Sequence, residues 1–232
     1  MIKRRITVER IPAILWGSDP SEKAYLVIHG KQGCKEAAES FAQIAVRKGW
    51  QVLSIDLPEH GERKQEKDTF NPWHVVPELK KVMACSRQRW KTVSLCAESI
   101  GAWFSLLSFA DDPLQNCLFI SPILDMQRLI ADMMSWASVS EERLFAEQEI
   151  PTSFGETLSW KYFQFAKEHP IRCWDAPTAI LYPECDQLTS ADTVSAFIKR
   201  FDCACTPVPN AEHWLHTPGE IRIRNEWLEE HI

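Results

Sequence analysis

The sequence predicts an α/β fold built on a mostly parallel sheet, and two observations carry that prediction. Short apolar runs of strand length recur along the chain, and segments with helical apolar spacing separate them. A length of 232 residues gives room for one globular domain of ordinary upper size or two small ones. With 45% hydrophobic and 25% charged residues the composition is that of soluble globular chains, which removes the collagen-like, disordered and coiled-coil readings. A formal net charge of −6, with no basic block beyond Lys3-Arg4-Arg5, gives no reason to bind phosphate backbones or anionic lipid, so nucleic acid is not an expected partner.

The elements follow in order. Ile6–Trp16 alternates and then turns at Gly17-Ser18-Asp19-Pro20, which predicts one or two antiparallel strands. Ala24–Ile28 reads as a buried strand ending in His29-Gly30, and Lys35–Lys48, with apolar positions at Phe41, Ile44, Ala45 and Val46, as a helix stopped by Gly49. Gln51–Ile55 is a strand, followed by the turn Asp56-Leu57-Pro58-Glu59-His60-Gly61, in which His60-Gly61 is read as structural. Pro72–Arg87 is a helix, Thr92–Cys96 a strand, Ile100–Ala110 a helix and Cys117–Ile120 a strand. Ala179–Tyr182 and Thr206–Val208 complete the strands, with helices Ala191–Phe201 and Pro218–Glu230 after them.

The interval between the strands at 117–120 and 179–182 exceeds what a crossover needs. Its pattern is helical, over Met126–Trp136, Glu141–Gln148 and Thr157–His169, and it is read as a lid over a pocket in preference to an added packing layer.

The eight cysteines, at 34, 85, 96, 117, 173, 185, 203 and 205, form no CxxC pair and no zinc-type cluster, so no metal is expected. Several lie in apolar runs, Val93–Cys96 and Cys117–Ile120 among them, and they are read as buried free thiols. Met1–Gly17 offers no continuous apolar stretch, and no run approaches the ~20 residues of a membrane span. Together these predict a reducing, cytoplasmic setting.

The strongest chemical signal is Leu95-Cys96-Ala97-Glu98-Ser99-Ile100-Gly101, between a predicted strand and a predicted helix. A serine raised on so sharp a turn needs small residues two before and two after it, and Ala97 and Gly101 meet that demand. Serine is a poor nucleophile unless a histidine takes its proton and a carboxylate orients that histidine. Loops at later strand ends supply both: Pro183-Glu184-Cys185-Asp186 and Asn210-Ala211-Glu212-His213. Asp186 is the preferred acid, with Glu184, Asp192 and Asp125 as alternatives. His213 is preferred over His216 because it lies nearer its strand end.

These residues together resemble the α/β-hydrolase superfamily over essentially the whole chain. The features are Leu26-Val27-Ile28-His29-Gly30, Asp56-Leu57-Pro58-Glu59-His60-Gly61, Ala97-Glu98-Ser99-Ile100-Gly101, Asp186 and His213. The one departure is Ala97 in place of the usual first glycine. The resemblance implies an eight-stranded, mostly parallel sheet in a single domain spanning 1–232, with a helical cap at 122–175 inserted after the sixth strand. It also implies an oxyanion hole made by the backbone N–H groups of Ile100 and Lys31. Trp136, Trp160, Tyr162 and Trp214 are candidates for contact with substrate, and Glu98 is either a pocket residue or a support for the catalytic groups.

The expected activity is hydrolysis of a small or medium carboxylic ester or thioester through an acyl-enzyme on Ser99, with no organic cofactor. The alternatives are an acyltransferase or lyase using the same residues, or a catalytically slow ligand-binding protein. A dehalogenase or epoxide hydrolase would carry Asp where Ser99 stands.

Overall fold

The computed structural model describes all residues, 1–232. Strands β1 (Lys3–Val8) and β2 (Ile11–Trp16) form a hairpin whose two turn residues, Glu9 and Arg10, both have positive φ. This is the turn handedness that matches strand twist, and it settles the N-terminal segment as two strands. Then follow β3 (Lys23–Ile28), α1 (Glu39–Arg47), β4 (Gln51–Ile55), α2 (Pro72–Arg89), β5 (Thr92–Glu98), α3 (Ile100–Phe109) and β6 (Cys117–Ile120). After β6 come α4 (Met126–Trp136), α5 (Glu141–Glu147), β7 (Glu149–Pro151), β8 (Thr157–Ser159) and α6 (Trp160–Glu168). The chain ends with β9 (Thr178–Pro183), α7 (Ala191–Phe201), β10 (Ala204–Val208) and α8 (Pro218–His231).

Eight strands form one sheet in the order β1-β2-β4-β3-β5-β6-β9-β10, antiparallel at β1-β2 and β2-β4 and parallel from β4 onward. The central strands are buried on both faces, which is why they read as unbroken apolar runs. On one face Phe41, Ile44 and Ala45 of α1 pack with Trp227 and Leu228 of α8. The other face carries α2, α3, α7 and the segment inserted after β6, whose Leu129, Phe163 and Trp174 join the same core as Val75, Phe104 and Val194. No helix is long and apolar enough to cross a membrane.

Three expectations change in detail. The expected helix from Thr157 starts at Trp160, because Ser159 caps it through the Tyr162 N–H and Thr157–Ser159 instead pairs with Glu149–Pro151. The expected helix from Lys35 opens with a 3₁₀ turn, Lys35–Ala38, whose first N–H is capped from outside by Asp56 Oδ1 at 2.8 Å. All eight cysteines are free, but only Cys96, Cys117 and Cys203 are buried; Cys173 and Cys185 lie in loops outside the apolar runs and are exposed.

Candidate active site

Ser99 stands between β5 and α3 with φ +51° and ψ −125°, a conformation that a residue with a Cβ adopts only under constraint from its surroundings. The constraint is visible. Ser99 N–H donates to Ile120 O at 3.0 Å, while Ser99 O accepts from Ala102 N–H at 3.1 Å and Ile123 N–H at 3.0 Å. The end of β3 presses against this turn: a Cβ on Gly101 would lie 2.5 Å from His29 O, and one on Gly30 would lie 3.0 Å from Ser99 Cβ. Close approach therefore demands glycine at 101 and leaves a side chain at 30 tightly crowded.

Asp186 follows β9. Its carboxylate is fully out of water, and Oδ1 accepts from the N–H groups of Leu188 (2.7 Å) and Thr189 (3.2 Å). Oδ2 faces His213 Nδ1 at 2.7 Å, and His213 Nε2 faces Ser99 Oγ at 2.8 Å. A carboxylate accepts, so Nδ1 carries the proton and Nε2 offers its lone pair to the Ser99 hydroxyl. The loops after β9 and β10 are tied by Glu184 N–H to Val208 O (3.1 Å) and Cys185 N–H to Ala211 O (2.9 Å), which sets His213 beside Asp186.

The alternatives lie elsewhere. Glu184 is exposed. Asp125 caps α4 through the Arg128 N–H at 3.0 Å. Asp192 is in the first turn of α7. His216 is exposed, with its ring at Trp214 O and its N–H on Glu220, in the start of α8.

The Lys31 N–H makes no hydrogen bond within the protein, and the Ile100 N–H, at the first position of α3, has no partner inside that helix. Lys31 follows Gly30 in the loop that crosses Ser99, and its ammonium pairs with Glu156 at 2.5 Å, in the turn between β7 and β8. Of the aromatic candidates, Trp214 is 76% exposed and Trp136 50% exposed, the latter edge-on to Phe154. Trp160 packs against Phe145 and Phe163, and Tyr162 stacks on Trp103 with ring centroids 5.8 Å apart. The Tyr162 hydroxyl is buried without a partner, and burial, with the Glu156 charge adding to it, pushes its pKa up.

Glu98 points to the α1 and α8 face, into a cavity of about 20 Å³ shared with Arg224 and Cys96. Burial raises its pKa, against the pull of Arg224. A cavity of about 340 Å³ lies between the start of α4, the end of α6 and one face of α7, beside Arg128, His169 and Arg200; Ser99 and His213 do not line it. No cluster of three or more His, Cys, Asp or Glu side chains could hold a metal ion.

Two groups of residues around the loop after β3 were given no role in the chemistry by the sequence, where His60-Gly61 is read as a structural turn. Lys35 and Asp56 form a buried ion pair at 2.6 Å, and Asp56 Oδ2 also accepts from Glu62 N–H at 3.0 Å. A Cβ on Gly61, where φ is +55°, would lie 2.2 Å from Asp56 Oδ1, so the turn after β4 requires glycine. His29 and His60 both bond to backbone around Lys31. The two histidines belong to the His-Gly steps already quoted, His29-Gly30 and His60-Gly61, and it is their side-chain partners that the sequence does not show.

No family model matches the sequence, and no curated protein matches it. Solved structures do. Est1E from Butyrivibrio proteoclasticus with ferulic acid bound is 17% identical, with a TM-score of 0.75 over 98% of this chain and 96% of that one. Alpha/beta hydrolase domain-containing protein 10 from mouse is 10% identical, with a TM-score of 0.74 over 99% and 98%. The thioesterase domain from the curacin biosynthetic pathway is 14% identical, with a TM-score of 0.61 over 98% and 99%. The mostly parallel eight-stranded sheet with helices inserted after its sixth strand is thus the α/β-hydrolase fold.

Proposed function

We propose that the protein is a serine hydrolase that cleaves small or medium carboxylic esters or thioesters. The observation that carries this is the continuous relay from Ser99 Oγ through both nitrogens of His213 to a buried Asp186, at 2.8 and 2.7 Å. Ser99 Oγ attacks the acyl carbonyl as its proton passes to His213 Nε2, and Asp186 stabilises the imidazolium that forms. The oxyanion is held by the N–H groups of Ile100 and Lys31. Collapse expels the alcohol or thiol, protonated by His213, and a water activated by the same ring then frees the acyl group from Ser99.

A Pyrococcus furiosus esterase and the curacin-pathway thioesterase domain share this fold, in accord with these two substrate classes. In the same reading the chain is one domain, and residues 122–175 are a cap over the site. The Lys31–Glu156 pair, joining the loop beside Ser99 to the β7–β8 turn, supports that placement.

Labelling with a fluorophosphonate and turnover of p-nitrophenyl esters and acyl thioesters test the proposal. Ser99 should be labelled, Ser99→Ala should abolish turnover, and His213→Ala and Asp186→Asn should each remove most of it in folded protein. An unlabelled Ser99 with no Ser99-dependent turnover would refute it. Acyl transfer to an added alcohol or amine that outpaces hydrolysis would instead mark an acyltransferase.

A further inference from the structure

Two histidines that the proposed chemistry does not use stand against the loop carrying the Lys31 N–H, and their partners fix the protonation of both. Leu57 N–H donates to His29 Nε2 at 3.0 Å, and Gln32 N–H donates to His60 Nε2 at 2.9 Å. Each Nε2 therefore bears a lone pair, and the proton of each neutral ring sits on Nδ1. His29 Nδ1–H donates to Gly30 O and His60 Nδ1–H to Pro58 O, each at 2.7 Å.

These bonds act on the two peptide units that meet at Lys31. Gly30 O belongs to the same peptide as the Lys31 N–H, and in a planar trans peptide the N–H points away from the C=O. Pinning Gly30 O between His29 Nδ1–H and Gly33 N–H (3.1 Å) therefore sets the direction of the Lys31 N–H. The next N–H, that of Gln32, is held by His60. Gln32 has φ +65°, a left-handed conformation that costs a residue with a side chain, and the bond to His60 helps hold it there. The rings lie against each other with centroids 5.1 Å apart, and His60 lies 4.5 Å from Phe70. A Cβ on Gly33 would sit 2.8 Å from His29 Cβ, so the loop folds directly over the buried ring.

We infer that His29 and His60 are positioning residues of the oxyanion hole: the two imidazoles clamp the peptides on either side of Lys31 and aim its N–H at the carbonyl oxygen of the substrate. The inference rests on the reading of Ser99 as nucleophile and of the Lys31 N–H as oxyanion donor. It assigns the two His-Gly steps one task, since each places a ring beside a loop that glycine lets approach closely.

The test compares a p-nitrophenyl ester with its thiono analogue, in which sulfur replaces the carbonyl oxygen. A thiono sulfur is the weaker hydrogen-bond acceptor, so an aimed N–H favours the oxygen ester and a misaimed one does not. Deleting a whole oxyanion donor costs about 10²–10³ in kcat, and loosening one should cost about tenfold. His60→Phe keeps the ring packing but removes the acceptor. It should lower kcat on the oxygen ester about tenfold with KM little changed, and lower the oxygen-to-thiono rate ratio by a similar factor. His60→Gln, which restores an acceptor, should recover both. From the buried ring, His29→Asn keeps a donor for Gly30 O and should retain the ratio, whereas His29→Leu should lose it. If Ser99→Ala is inactive and His60→Phe keeps the ratio, or slows both esters equally, the clamp is wrong and the serine reading stands. If Ser99→Ala keeps its turnover, the serine reading falls and takes the clamp with it.

Discussion

Asp56→Ala should destabilise the protein by about 3 kcal/mol, and the figure follows from what the carboxylate holds. Lys35 Nζ sits 2.6 Å from Asp56 Oδ2, with the two side chains 1% and 0% exposed. Burial by itself would lower the Lys35 pKa and raise that of Asp56. Their contact, with Glu62 added on the lysine side, outweighs burial, so Lys35 stands above its ordinary value and Asp56 below its own. Removing the carboxylate strands the ammonium and deprives the N–H groups of Lys35 and Glu62 of their acceptor. Deleting one partner of a buried pair costs about 3–5 kcal/mol. Glu62 at 2.8 Å and Glu36 at 3.4 Å remain beside Lys35, which places the expectation at the lower end. Adding Lys35→Met removes the stranded charge, so the double variant should be more stable than Asp56→Ala alone. Urea unfolding followed by tryptophan fluorescence, with an unchanged m value, measures both. A loss below about 1 kcal/mol, which is what a surface pair gives, or a double variant no better than the single one, would refute the reasoning.

Two further outcomes concern the loop beside Ser99. Burial lowers the His29 pKa to about 4, below its ordinary 6.5. The fold favours the neutral ring, so this contribution to stability is complete above pH 6.5 and is lost as pH falls toward 4, by about 3 kcal/mol in all. Urea midpoints measured across that window should fall less steeply for His29→Asn than for the unaltered protein; equal slopes would exclude His29 as the source. Gly101→Ala would place a methyl 2.5 Å from His29 O and 2.8 Å from Ile28 O, and neither backbone atom can yield without moving β3. The variant should lose most fluorophosphonate labelling at Ser99 and about 1–3 kcal/mol of stability, read from labelling rates and urea melts.

What was legible in the sequence was what local pattern encodes. Gln51–Ile55 and Cys117–Ile120 are continuous apolar runs because both faces of those strands are covered, and their limits were read without error. Ser99, Asp186 and His213 were legible as a set because each follows a strand end, where a parallel sheet gathers its loops. Thr157–Ser159 was not, since a three-residue strand carries no period of its own and its pairing depends on residues beyond a turn. Asp56 capping Lys35, and His60 holding Gln32, join positions 21 and 28 residues apart through side-chain contacts that no spacing rule announces.

The three groups of the relay hang from strands of unequal protection. Ser99 leaves β5, in the middle of the sheet, and Asp186 leaves β9, which is buried throughout. His213 leaves β10, which is an edge strand, pairs only with β9 and is buried only at Val208. Edge segments open at lower free energy than the interior of a sheet. Partial opening would therefore detach His213 while the strained Ser99 and the buried Asp186 stay in place. The proposed chemistry would be lost at the margin of the sheet before the core was.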